Sequence, residues 1–177
     1  MDDESTRSKS AVVIRLLREE DSLEALTGLL HRAYKALADI GLRFLATWQD
    51  VEITRQRIAE GTCFVAVIDD AIIGTITFKM PHAGHGVPWL ARPDVGNISQ
   101  LAVEPAFQNQ GIGGRLMRHA EEYAQGRGLA ELASDTSEQA RHLIAWYERL
   151  GYRGVDFVQW EIVNYRSVVM SKSVTTG

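Results

Sequence analysis

The residues Gln108-Asn109-Gln110-Gly111-Ile112-Gly113-Gly114 follow an apolar, strand-like run that ends at Glu104-Pro105, and they lead directly into an amphipathic helical pattern. A strand, a glycine-bearing turn and a helix start together make an anion site. The first backbone N–H groups of a helix have no intrahelical acceptor, and the helix dipole favours negative charge there. Glycine lets the backbone come close to a bulky phosphate. The chemistry on offer is therefore phosphate binding. The pattern is not a Walker A loop, because no Gly-Lys-Ser/Thr follows, and Leu116 stands where a dinucleotide fingerprint needs its last glycine. A glycine turn closing onto a helix without any ligand explains the same residues.

The other reactive side chains are few. Tyr147 shares helical spacing with Leu143 and Leu150, which places it on the inner face of an amphipathic helix. His82 and His85 lie in a long loop and have the intrinsic pKa of a general base, although a solvated loop histidine accounts for each. Two histidines without a third or fourth ligand make no metal site, and none is expected. Cys63 is the single cysteine; it excludes an internal disulfide, and its apolar neighbours mark it as a buried thiol.

The elements that must position these residues follow from periodicity and punctuation. Strands are expected at Val12–Leu17, Thr62–Ile68, Ile72–Phe78, Asn97–Glu104, Leu129–Ser134, Tyr152–Gln159 and Tyr165–Ser171. Helices are expected from Ser22 to Leu37, capped by Asp21 or Ser22, from Asp50 to Glu60, and from Ile112 to Gln125. Thr136-x-x-Gln139 reads as a capping box that opens the last helix, which Gly151 ends. Asp69-Asp70 turns a hairpin, whereas Lys79 to Gly96 holds three of the 4 prolines and is too long for a tight connection. The order is β-α-α-β-β-β-α-β-α-β-β. It implies an α/β (α+β) fold, with a mixed, twisted sheet of six to seven strands and helices on both faces. Residues 1–10 are polar and expected to fray, and residues 11–177 to form a single domain.

Two motifs carry a resemblance. Gln108-x-x-Gly111-x-Gly113, with its Leu101-Ala102-Val103-x-Pro105 lead-in, is similar to the pyrophosphate loop and fourth strand of the GNAT superfamily of N-acetyltransferases. Ile144-Ala145-Trp146-Tyr147-Glu148-Arg149-Leu150-Gly151-Tyr152 resembles the family's apolar-Tyr-Glu-Lys/Arg-Leu-Gly-Phe segment. The element order extends the likeness over nearly the whole chain. The resemblance implies acetyl-coenzyme A as co-substrate, held by Gln108, Asn109, Gln110, Gly111, Ile112, Gly113 and Gly114 at its pyrophosphate. It implies that the strand backbone at Leu101, Ala102 and Val103 meets the pantetheine arm and the acetyl carbonyl, on a fourth strand that bulges and splays from the fifth. It implies Tyr147 as the acid that protonates the departing thiolate. Relatives that place Glu or His on the fourth strand as base are not matched. Asn97 and Ser99 stand there and could hold a relaying water, with loop His82 and His85 as alternatives. A cofactor-contacting Asn of the family is Ala140 here, for which Thr136 or Ser137 could compensate. Aromatic Tyr34, Trp48, Trp89, Trp160 and Tyr165 are candidates for the acceptor side.

A net charge of -4 and a pI near 5.7 argue against a broad nucleic-acid or anionic-membrane surface and suit a cationic substrate. No apolar run approaches spanning length and no signal peptide is legible, so a cytoplasmic place is expected. Three functions fit: acetyl transfer to a small-molecule amine, acetyl transfer to a protein or peptide N-terminus, and a non-catalytic coenzyme A sensor. A homodimer through edges of the C-terminal hairpin is possible on this sequence.

Overall fold

A computed structural model describes residues 11–175; the expected fraying of residues 1–10 lies outside them. Seven strands form one sheet, β1 (Val13–Leu16), β2 (Thr62–Ile68), β3 (Ala71–Lys79), β4 (Val95–Val103), β5 (Glu131–Ser137), β6 (Arg153–Gln159) and β7 (Arg166–Ser173), in the spatial order β1-β2-β3-β4-β5-β7-β6. All neighbours are antiparallel except β4 and β5. Helices α1 (Leu23–Asp39) and α2 (Val51–Ala59) cover one face; α3 (Ile112–Gly126) and α4 (Arg141–Arg149) cover the other.

Local chemistry explains the elements. Ser22, not Asp21, caps α1 by accepting from the Ala25 N–H at 3.1 Å, while Asp21 is held by Arg15. Asp50 caps α2 through the Ile53 N–H. Strand β2 is buried along Cys63–Val67, an apolar run rather than an alternation, because helices lie on both of its faces. Phe64 and Ala66 join the larger core beneath α3 and α4, with Leu116, Met117 and Ala120. Val65 and Val67 face α1 through Leu26.

The expected capping box fails. Thr136 is still in β5, opposite Val168 of β7, and Ser137 pairs with Ser167. The ladder to β7 holds these residues extended, so α4 starts only at Arg141, with buried Ala140 at its N-cap and no side-chain cap. The segment between β3 and β4 carries no regular element. It packs Val87 and Leu90 against Val95, Ala133 and Val169, so it folds onto the sheet instead of projecting from it.

Candidate active site

Strands β4 and β5 pair only through Val95–Glu131, Gly96–Leu132 and Asn97–Ala133. Beyond those pairs they separate. The cause is visible in β4. Its register with β3 moves from Thr77–Ser99 to Thr75–Ala102, so Gln100 and Leu101 face the single residue Ile76. Gln100 adopts φ 54, a left-handed conformation that costs a side-chain-bearing residue about 1–2 kcal/mol. The bulge slips the alternation of side chains: Ile98, Leu101 and Val103 join the α3 side, while Ala102 joins the α1 side. Gln100 is buried and its amide is fixed, accepting from Gln49 Nε2 at 2.9 Å and donating to Thr77 Oγ1 at 3.3 Å. Gln49 is itself fully buried and donates to Thr54 at 2.7 Å, so the bulge is tied to the start of α2.

The separation opens a cleft of about 770 Å³ that crosses the sheet. At its α3 end lies the glycine turn. Gly111 has φ 80 and forms the N-cap of α3, with Asn109 also left-handed at φ 58. Among the described residues, the backbone N–H groups from Asn109 to Gly114 meet no protein acceptor. Oriented N–H groups at a helix start form a concave anion site. Gln108 differs from the expectation, since its N–H already donates to the Pro105 carbonyl; its side chain braces the turn on the Val103 carbonyl at 3.0 Å. Gln110 folds onto the Ala106 carbonyl and does not line the cleft. A Cβ on Gly113 would sit 3.3 Å from Trp146, so this glycine also lets α4 pack on the turn.

Tyr147 reaches the cleft from α4. It is buried, and its hydroxyl shares a 3.0 Å hydrogen bond with Ser134 Oγ of β5. Burial pushes the phenol well above its ordinary pKa, an effect the Ser134 bond only partly offsets. On β5 the next residue points the other way, so Asp135 faces the α1 and α2 side, where Oδ2 accepts from Trp160 Nε1 at 2.9 Å. Asn97 and Ser99 line the same cleft, and Asn97 Oδ1 and Ser99 Oγ are buried without a partner, as is Thr136 Oγ1. Tyr34 donates to the Leu101 carbonyl at 2.9 Å, and burial raises its pKa to about 12.

The two loop histidines separate. His82 stays outside the cleft, whereas His85 lines it, edge-on to Trp160. Desolvation lowers the His85 pKa, so the ring is neutral near pH 7. The Val87 N–H donates to Nδ1 at 3.3 Å, which leaves the ring proton on Nε2. His85 thus offers the cleft a donor, not a base. Trp160 and Tyr165 line the cleft; Trp48, exposed, and Trp89, beneath Arg92, do not. Cys63 is buried. No group of three or more His, Cys, Asp or Glu is placed to hold a metal among the described residues, and no helix there is long and apolar enough to cross a membrane.

Sequence reading missed Asp135 and Arg57, which both line the cleft. Asp135 follows a strand residue of the core, and Arg57 lies in a short polar helix, so neither stands out by spacing.

Comparison with known proteins agrees with this geometry. Residues 24–152 match the model of the acetyltransferase (GNAT) family. An S-(2-succino)cysteine N-acetyltransferase of Bacillus subtilis is 34% identical over 78% of this chain and 82% of its own. The ribosomal-protein-S18-alanine N-acetyltransferase of Escherichia coli superposes with a TM-score of 0.69 at 18% identity, covering 94% of this chain and 96% of that one. A GNAT family acetyltransferase of Elizabethkingia anophelis, solved with acetyl-CoA bound, superposes with a TM-score of 0.65 at 18% identity over 92% of this chain and 97% of that one. From its seven-stranded, bulged sheet to its glycine turn, the chain belongs to the GNAT family and is an N-acetyltransferase.

Proposed function

We propose that this N-acetyltransferase moves the acetyl group of acetyl-coenzyme A onto the primary amine of a small molecule, by direct attack while both are bound. The observation that carries the reading is the continuity of the cleft. One space runs from the unpartnered N–H groups of Asn109 and Gly111–Gly114, through the gap between β4 and β5, to the face beneath α1 and α2.

In this reading the N–H groups of Asn109 and of Gly111 to Gly114 hold the pyrophosphate, with the α3 dipole behind them. The bulged backbone from Leu101 to Val103 lines the pantetheine path and faces the acetyl carbonyl. The thioester supplies the activated acetyl group. Tyr147, kept protonated by burial, donates its proton to the departing thiolate and regains one through Ser134. The amine stands on the opposite face. Its proton passes to a water held by Asn97 Oδ1 and Ser99 Oγ, whose lack of protein partners supports that role. The Nε2–H of His85 argues against a histidine base.

The folded β3–β4 segment supports a small acceptor. His85 and Trp160 close one side of the cleft, which narrows it for an extended peptide. The similar Bacillus subtilis enzyme is likewise named for a small-molecule amine.

Calorimetric titration with acetyl-coenzyme A, beside a thiol-release screen over amines and peptide N-termini, tests the proposal. The expected result is saturable binding with thiol release on small amines. Gly111→Val, which forces a β-branched residue to φ 80, is expected to weaken cofactor binding by at least about tenfold. Undiminished binding by that variant would remove the glycine turn from the site, and turnover of peptides alone would overturn the small acceptor.

A further inference from the structure

Arg57 projects from the last turn of α2 into the acceptor side of the cleft. Among the described residues its one hydrogen-bond partner is neutral: Nη1 donates to Gln49 Oε1 at 2.5 Å. Among the described residues Arg57 forms no ion pair with a carboxylate, and the other arginines of which this is true, Arg43, Arg115, Arg118, Arg127, Arg141 and Arg149, are exposed whereas Arg57 is half-buried. Of the nearby acids, Glu60 pairs with Lys79, while Asp135 accepts from the neutral Trp160 N–H, which does not offset its charge, and makes no ion pair with Arg57.

A half-buried guanidinium without an anion is costly, and desolvation is the main force acting on this one, lowering its pKa from the arginine norm. The protein nevertheless holds it in place. Gln49 is fully buried and locked by Thr54 and Gln100, so its amide oxygen orients the fork without neutralising it. The remaining N–H donors of the fork are available to the cleft, beside Tyr34 and Tyr165. That is a pre-placed receptor for a planar oxyanion. Asp135, on β5 in the same cleft, supplies the opposite charge.

We propose that the acceptor is a zwitterion, an amine that also bears a carboxylate, with the carboxylate read by Arg57 and the ammonium drawn toward Asp135. This rests on the acetyltransferase reading of the cleft and adds what selects the amine. It makes Arg57 a specificity residue that touches the part of the substrate that does not react. The bond-forming step is unchanged: the deprotonated amine nitrogen bonds to the acetyl carbon, and the carbon–sulfur bond breaks.

The test uses matched amine pairs, each an amino acid or N-terminal amino-acid derivative and its methyl ester, in thiol-release assays of the whole chain with acetyl-coenzyme A. The wild type is expected to favour the acid over its ester by about 10- to 100-fold in kcat/KM, mostly through KM. Arg57→Gln is expected to collapse that ratio toward 1, and Arg57→Lys, which keeps charge but not the fork, to fall between. Calorimetry with acetyl-coenzyme A on each variant serves as the control for folding and for the other half of the site. Esters accepted as well as acids by the wild type, or an acid-to-ester ratio unmoved by Arg57→Gln, overturns the proposal. Cofactor binding with no acid-bearing amine turned over does so as well. Absence of both cofactor binding and thiol release overturns the acetyltransferase reading beneath it.

Discussion

Tyr147 is at once a core residue and a cleft residue. Its ring packs against Trp146 and Tyr152 with centroids 5.1 and 5.6 Å away, as a core aromatic would, yet its hydroxyl is at the cleft wall beside Ser134. Packing keeps the phenol neutral, and neutrality is what a proton donor needs. Tyr147→Phe is therefore expected to keep acetyl-coenzyme A affinity within a few-fold while kcat falls about 100-fold or more, read from calorimetry and thiol release on the same preparation. Because burial raises the pKa, the wild-type rate should show no descending limb from Tyr147 below about pH 10. A kcat for the Phe variant equal to wild type would assign the residue to packing alone.

At the scale of elements, the decisive feature is the bulge in β4 and its anchorage. Gln100 is held left-handed by a buried chain of side chains that runs Thr77, Gln100, Gln49, Thr54 and Thr27. The chain joins β3, β4, α2 and α1, so the strained residue is over-determined by its neighbours. Gln49→Ala removes the central link. It leaves Gln100 and Arg57 short of partners at a buried site and is expected to cost about 1–3 kcal/mol, or roughly 2–10 °C in Tm by calorimetric scan. Turnover should fall further than Tm predicts, since the gap between β4 and β5 depends on the bulge. A stable variant with full activity would show that the strand pairing alone maintains the bulge.

For the molecule as a whole, four tyrosine hydroxyls make stability depend on pH in the alkaline range. Burial raises the pKa of Tyr34, Tyr147, Tyr152 and Tyr165 above the ordinary tyrosine value near 10. Above about pH 10 the unfolded chain releases these protons while the folded chain retains them, so the unfolded state binds fewer protons and stability declines as pH rises. Below about pH 10 both states are protonated and the tyrosines contribute no slope. Thermal scans are expected to show Tm flat with respect to these groups up to about pH 9.5 and dropping steeply beyond it. A Tm that stays level to about pH 11 would mean the four phenols titrate as freely as in the unfolded chain.

Strand and helix order, the glycine turn and the inward face of α4 were legible because each rests on local periodicity or on a residue with a fixed conformational role. Gly111 at positive φ and the apolar run of β2 are of this kind. The end of β5 was not: Thr136 and Gln139 have the chemistry of a cap, but pairing with β7 kept Thr136 extended. His82 and His85 look equivalent in the chain, and only the packing of the β3–β4 segment brought one to the cleft and fixed its proton. Arg57 and Asp135 lie 78 positions apart and carry no pattern that links them. Charge placement across a cleft depends on which side chains are left without partners after folding, and that is a property of the packed molecule. Local pattern was enough for the order of strands and helices along the chain and for the glycine turn; the strand order of the sheet and the charges that line the cleft came only from packing.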